Sequence, residues 1–261
     1  MIKVADLVSV IEDFAPKHLA ESYDNTGLLV GSRDMVVTGL LTTVDVTEKS
    51  IEEAKKIGAN MILSHHPLIF KGIKNLNGND YIERCVIELI KSDIALYCAH
   101  TSVDATFGGI SYRMGEKLGL QNMSTLSPST PNNEGYGVVG SLKERIELKE
   151  FLAVVKSKFD AGVIRYAGEI EGKSVERVAL CGGSGASLIG DAQKSGADIY
   201  ISADFKYHDF FLTEKEIILA DIGHFESEKV VLDIFSDIIS KKYPTFAVCK
   251  SNSDSNPVLY L

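Results

Sequence analysis

The chain has 261 residues, enough for one large domain or two small ones, and its 45% hydrophobic and 24% charged content excludes a disordered or collagen-like protein. A formal charge of −9 gives no general attraction for phosphate backbones or anionic lipid, which disfavours nucleic acid and membrane surfaces as partners. Cys85, Cys98, Cys181 and Cys249 form no C-x-x-C pair and are too few for a disulfide framework, so they read as buried thiols of a cytoplasmic protein. No signal-peptide core opens the chain, and no apolar stretch approaches the ~20 residues of a bilayer span.

Val4, Leu7, Val8, Ile11 and Phe14 recur at helical spacing, which predicts a helix over 3–14 ended by Pro16. Short apolar runs at 28–30, 38–44, 60–64 and 94–98 read as buried strands. Between them, helices are expected over 47–57, with Thr47 as N-cap, and over 81–91. Residues 121–140 are rich in Ser, Pro, Asn and Gly and read as a boundary or crossover. Beyond it, a helix is expected at 145–158 and a strand at 163–167. The tail offers a helix from 229 and a strand near 245–249. Strands alternating with helices indicate a largely parallel α/β architecture.

Part of this pattern occurs twice. Gly39–His66 lies against Arg177–Asp204 without a gap at an offset of 138, so that Ala54, Lys56, Gly58, Ala59 and Ser64 meet Ala192, Lys194, Gly196, Ala197 and Ser202. With part of a polar loop skipped, His100 meets His224 and Asp104 meets Glu228. Two related α/β halves are the expectation, with 1–125 and 220–261 forming the first domain and 126–219 the second.

His65, His66, His100, His208 and His224 lie in or beside loops that follow expected strands, where open α/β sheets place their ligands. Asp104 stands four residues after His100, Glu228 four after His224, and Asp204 four before His208; that spacing puts two side chains on one face of a helical turn. His65 and His66 can both face a site only where a strand ends, and Pro67 enforces such an end. A lone histidine is more often a structural residue. Imidazoles gathered with carboxylates and no thiolate instead match zinc, manganese, iron or cobalt rather than calcium or magnesium. Three histidines with two carboxylates exceed the needs of one open ion and suit a pair, bridged by Glu228 or a water. Cys181-Gly-Gly-Ser-Gly-Ala reads as a tight turn whose amides are an alternative phosphate cradle. Asp24 and Asn25 either line a site or simply form a turn.

Ser22-Tyr-Asp-Asn-Thr-Gly27, Ile62-Leu-Ser-His-His-Pro67, His100-Thr-Ser-Val-Asp104, Cys181-Gly-Gly-Ser-Gly185 and Gly223-His-Phe-Glu-Ser-Glu228 together resemble the GTP cyclohydrolase I type 2 homologues, also called NIF-three-like dinuclear metal proteins. The resemblance spans nearly the whole chain. It implies two intertwined α/β domains with a metal site in the cleft between them, and a toroidal homohexamer. It also implies two divalent ions per chain (zinc, iron or manganese) held by His65, His66, Asp104, His224 and Glu228, with Glu228 bridging. His100 and His208 fall in matching motifs as supporting residues, and Tyr23 stands where many relatives have tryptophan. Longer relatives carry an inserted domain, for which the connection here leaves no room. The implied activity is metal-dependent hydrolysis of a nucleotide or related small molecule by a metal-bound hydroxide, with GTP as one substrate. The alternative is a non-catalytic, metal-stabilised hexameric ring acting as an interaction or regulatory scaffold.

Overall fold

The computed structural model describes residues 1–213, 217–253 and 255–261. The chain divides into two compact units, 1–106 with 231–257 and 107–230 with 258–261.

In the first unit, α1 (Val4–Phe14) buries Val4, Leu7, Val8 and Ile11 along one stripe, and the Asp6 carboxylate accepts the Lys3 N–H at its start. Strands β1 (Gly27–Val30) and β2 (Leu40–Thr43) follow. Helix α2 (Glu48–Lys56) begins with a reciprocal cap: Thr47 Oγ1 accepts from the Ser50 N–H, and Ser50 Oγ accepts from the Thr47 N–H. Then come β3 (Met61–Ser64), α3 (Tyr81–Lys91) with Asp80 accepting the Glu83 N–H, β4 (Ala95–Cys98) and the single turn α4 (Thr101–Ala105).

The second unit opens with α5 (Ile110–Leu118), closed by Gly119 in the left-handed region. The expected crossover at 121–140 is instead a hairpin of β5 (Gln121–Pro128) and β6 (Gly135–Glu147). Its composition concealed the strands because β5 buries only Thr125 and Leu126 and keeps a polar outer face. Helix α6 (Leu148–Phe159) starts later than 145, since Ile146 and Glu147 still pair in the sheet. Next are β7 (Arg165–Ala167), β8 (Ser174–Ser184), α7 (Ile189–Lys194), β9 (Ile199–Ala203), β10 (Ile218–Asp221) and the short α8 (His224–Glu228). The chain returns to the first unit with α9 (Val231–Lys242) and β11 (Val248–Lys250).

The glycine-rich segment after Cys181 is not a turn. Strand β8 continues through Gly182 and Gly183, and Ser184 pairs with Ala203 beyond a bulge. The Gly182 and Gly183 amides donate to Ser111 Oγ and Ser227 Oγ, so they are engaged inside the unit rather than held ready for a phosphate.

The first sheet has the order β1-β4-β3-β2-β11, parallel except for β1; the second has the order β5-β6-β8-β9-β10-β7, with β8, β9 and β10 parallel. All residues of β2, β3 and β4 are buried, as in a parallel sheet covered on both faces. Leu41, Ile62 and Leu96 pack against Ile51, Ala54 and Leu89 of α2 and α3.

The sequence repeat is also a repeat of topology. Each unit carries an antiparallel strand beside three parallel ones, β1-β4-β3-β2 and β7-β10-β9-β8. Register agrees as well: Leu40 pairs with Met61 and Val178 with Ile199, so the offset of 138 holds across both strand pairs. Residues 107–125, 220–230 and 258–261, expected in the first domain, lie in the second unit. Strands β5 and β10 hydrogen-bond there, and strand pairing outweighs the compositional boundary. Cys85, Cys98 and Cys181 are buried as expected, whereas Cys249 is exposed because it sits on the edge strand β11. Among the described residues no helix is long and apolar enough to cross a membrane.

The segment after β11 is pinned by one carboxylate. Glu53 on α2 accepts from the Asn252 and Ser253 amides and from the Ser251 and Ser253 hydroxyls. A Glu53→Ala substitution should lower unfolding stability by about 2 kcal/mol, since bonds to a charged acceptor are the stronger kind. A shift of the denaturant midpoint without a change in slope would verify this, and new proteolytic cleavage near 251–253 should accompany it.

Candidate metal centre

In the first unit the side chains gather at the carboxyl ends of β3 and β4. The His65 and His66 amides still bond to the Thr43 and Val44 carbonyls, while Ser64 Oγ donates to the His66 carbonyl and turns the chain into Pro67. The alternation of a strand is thereby broken, and both imidazoles reach the same end of the sheet. Ring centroids lie 4.8 Å apart for His65 and His66, 5.2 Å for His65 and His100, and 5.4 Å for His66 and His100.

Each ring is tied at Nδ1 to an oxygen. His65 Nδ1 lies 3.1 Å from the Ala99 carbonyl, His66 Nδ1 2.8 Å from Asp45 Oδ1, and His100 Nδ1 2.9 Å from Asp24 Oδ1. A carbonyl or carboxylate oxygen only accepts, so Nδ1 carries the proton in each neutral ring and the lone pair is left on Nε2. A ring nitrogen from each of the three histidines lies within 4.8 Å of the other two. These groups could hold a metal ion, each oriented by the second contact that metal-binding histidines usually have. Asp104, on α4, brings Oδ1 to 3.8 Å from His65 Nε2, beyond hydrogen-bond range and closer to the spacing of two donors around one ion.

Asp24 resolves the two readings of its turn. Its carboxylate is fully buried and accepts from His100, from the Thr101 N–H and hydroxyl, and from the Asn25 N–H. Burial by itself would raise the Asp24 carboxyl, but the bonds from His100 and Thr101 outweigh it and hold the group at about 2. The Asn25 amide donates to the Ile69 carbonyl and ties this turn to the loop that follows Pro67. Sequence reasoning missed Asp45. The available signal was its place two residues beyond β2, at the sheet end where ligands collect.

In the second unit, His224 and Glu228 occupy one face of α8, as their spacing predicts, with Nε2 3.0 Å from Glu228 Oε2. His224 Nδ1 lies 2.8 Å from Asp204 Oδ2. Burial disfavours charge on this ring, yet the bonds to Asp204 and Glu228 push it up to about 11, because both nitrogens face carboxylates. A metal ion would take the place of the Nε2 proton and keep His224 and Glu228 as ligands. Glu228 is buried directly over Gly183, where a Cβ would fall 2.1 Å from Oε1. By strand register Gly223, with φ +95°, takes the place of His100, so His224 comes one residue later after β10 than His100 does after β4.

His208 is exposed and packs on the rings of Tyr207 and Phe211, and Asp204 turns to His224 instead. Asp221 takes a structural part, accepting from Arg165, from the Phe205 N–H and from the Gly223 N–H.

The model of the Duf34/NIF3 (NGG1p interacting factor 3) family matches residues 2–257. The chain belongs to the Duf34/NIF3 family. A Clostridium perfringens relative named GTP cyclohydrolase 1 type 2 homolog is 38% identical over 259 residues, covering 97% of this chain and 98% of its own. A Lactococcus lactis relative of the same name is 32% identical and covers 98% of both chains. Among solved structures, a Staphylococcus aureus hypothetical protein superposes with a TM-score of 0.90 at 28% identity, covering 99% of each chain. A Bacillus cereus protein related to NIF3 shares the fold, with a TM-score of 0.90 at 24% identity over 100% of this chain and 99% of its own. These Duf34/NIF3 relatives match over almost the full length, so the two-sheet α/β architecture is that of the family.

Two substitutions probe the two sets of residues. Asp24→Asn should cost about 2 kcal/mol at neutral pH, the worth of a carboxyl lowered by about two units. Because the folded pKa is depressed, that stability is present above the ordinary carboxyl range near 4 and vanishes as the pH falls towards 2. Wild-type and variant stabilities measured against pH should therefore converge at the acid end. Gly183→Ala should displace Glu228, so that the His224 imidazole of metal-free protein loses the part of its upward shift that Glu228 supplies and keeps the part from Asp204, which an NMR titration would detect.

Proposed function

We propose that this Duf34/NIF3 protein is a dinuclear divalent-metal hydrolase acting on a nucleotide or a related small molecule. In this reading His65, His66, Asp104, His224 and Glu228 would hold the ions. Zinc, iron and manganese fit a donor set of imidazoles and carboxylates without thiolate. The observation that carries the reading is the set of three imidazoles, each tied at Nδ1 to an oxygen and each offering a ring nitrogen within 4.8 Å of the others.

A bound pair of ions would supply an acidified water and positive charge for a developing oxyanion. The residues of the chain do the rest. Asp45 and Asp24 keep His66 and His100 in one tautomer and one orientation, so that neither ring reorganises when an ion or substrate arrives. Asp204 does the same for His224. His100, packed beside His65 and His66, is a supporting residue next to the ligands. The name carried by the relatives makes GTP the first substrate to test. The assembly and location that accompany this reading are a toroidal homohexamer in the cytoplasm.

Metal content per chain on untagged protein purified without chelators tests the proposal. About two ions are expected, falling by about one in His66→Ala and in Glu228→Gln while the fold persists. Loaded protein should then hydrolyse GTP or another nucleotide, and Glu228→Gln should remove turnover. Protein that takes up no zinc, manganese or iron on reconstitution would sink the dinuclear reading. Two ions without turnover of any nucleotide would favour the scaffold.

A further inference from the structure

The Asp45 carboxylate has two tasks. Oδ1 holds His66 Nδ1 at 2.8 Å, and Oδ2 lies 3.4 Å from the Ser255 hydroxyl on the segment that follows β11. Residues 251–253 are fastened to α2 through Glu53. Beside Ser255, within the first unit, opens a cavity of about 370 Å³. Val46, Leu68 and the Tyr81 ring supply apolar surface to it, while Asp45, Ser255 and His66 supply its main polar groups. A molecule in this cavity therefore touches one of the imidazoles assigned to the metal centre.

The lining selects its occupant. Among the described residues the cavity has a carboxylate and no lysine or arginine, which disfavours a phosphate and favours a neutral group with N–H donors. Its volume is at the small end of the range for ligand pockets and suits a single ring system rather than a whole nucleotide. Tyr81 is about half exposed at the opening, with a ring available for stacking. The cations that a phosphate chain would need stand elsewhere, at Lys71 and Lys74 on the loop after Pro67, and neither forms an ion pair among the described residues.

We propose that this cavity holds the heterocyclic base of the substrate, with ring N–H groups donating to Asp45 and Ser255 and the ring face against Tyr81, while the rest of the molecule extends past His66. The inference rests on the proposed function for the substrate class, but the binding step stands apart from turnover.

The test is calorimetric binding of guanosine, a nucleoside that carries the base without phosphate, and separately of inorganic tripolyphosphate, to the metal-loaded full chain. Wild type is compared with Tyr81→Ala and Tyr81→Phe, with metal content measured in every sample. Guanosine should bind saturably, weaken about tenfold (~1.4 kcal/mol) in Tyr81→Ala through loss of one stacking partner, and recover in Tyr81→Phe. Tripolyphosphate binding and metal content should be the same in all three proteins. The proposal is overturned if wild type binds no guanosine, or if Tyr81→Ala binds it as well as wild type. It is also overturned if Tyr81→Ala weakens guanosine and tripolyphosphate alike. Intact guanosine binding without hydrolysis of any nucleotide would count against the hydrolase reading alone.

Discussion

An imidazole can serve a metal ion well only if its ring is held still and the proton is kept on the nitrogen that faces away. In this chain that constraint explains residues that otherwise have no evident purpose. Asp24 is a fully buried carboxylate in a turn, Asp45 stands just past a strand, and the Ala99 carbonyl points back from the end of β4. Each accepts the Nδ1 proton of one histidine. The Ser22–Gly27 motif thus has a mechanical meaning, because its aspartate fixes His100 and its asparagine fixes the loop after His66 and Pro67.

The same four-stranded framework occurs twice and is furnished differently each time. At the offset of 138, Ala203 replaces His65, Asp204 replaces His66, and Gly183 replaces Asp45. The first unit is consequently rich in imidazole, whereas the second contributes one histidine between two carboxylates. The glycine is as consequential as the ligands. With no Cβ at 183, the Glu228 carboxylate lies against the β8 backbone, and the Gly183 amide is available to hold Ser227. A cradle of this kind appears in sequence only as one of the three glycines in Gly182-Gly-Ser-Gly185.

Charge distribution follows the same logic. A chain of net charge −9 that buries Asp24 and Glu228 must hold those carboxylates with protons and hydrogen bonds supplied from within. Hydrogen bonds from His100 and Thr101 hold Asp24 ionised. A proton on His224 serves Asp204 and Glu228. Were a metal ion to take its place, uptake would be coupled to proton release.

Several features were legible in the sequence because they depend on local order. The stripe of Val4, Leu7, Val8 and Ile11, the Thr47 cap and the four-residue step from His224 to Glu228 follow from helical geometry. The break after His65 and His66 follows from Pro67. The internal repeat was visible because equivalent strands bury equivalent apolar positions. Tertiary structure decided the remainder. The hairpin of β5 and β6 hides behind a polar outer face, and β8 runs through two glycines because its bulge is stabilised by Ser111, Ser227 and Ala203, which lie far away in the chain. The partners of the histidines belong to the same class. Asp24 lies 76 residues from His100, and Asp45 lies 21 from His66, so neither pairing has a period that a linear reading could detect. Sequence by itself determined which side chains bring imidazole and carboxylate groups to the ends of the strands; only the folded chain decided which oxygen holds each ring, because that depends on which strands end side by side.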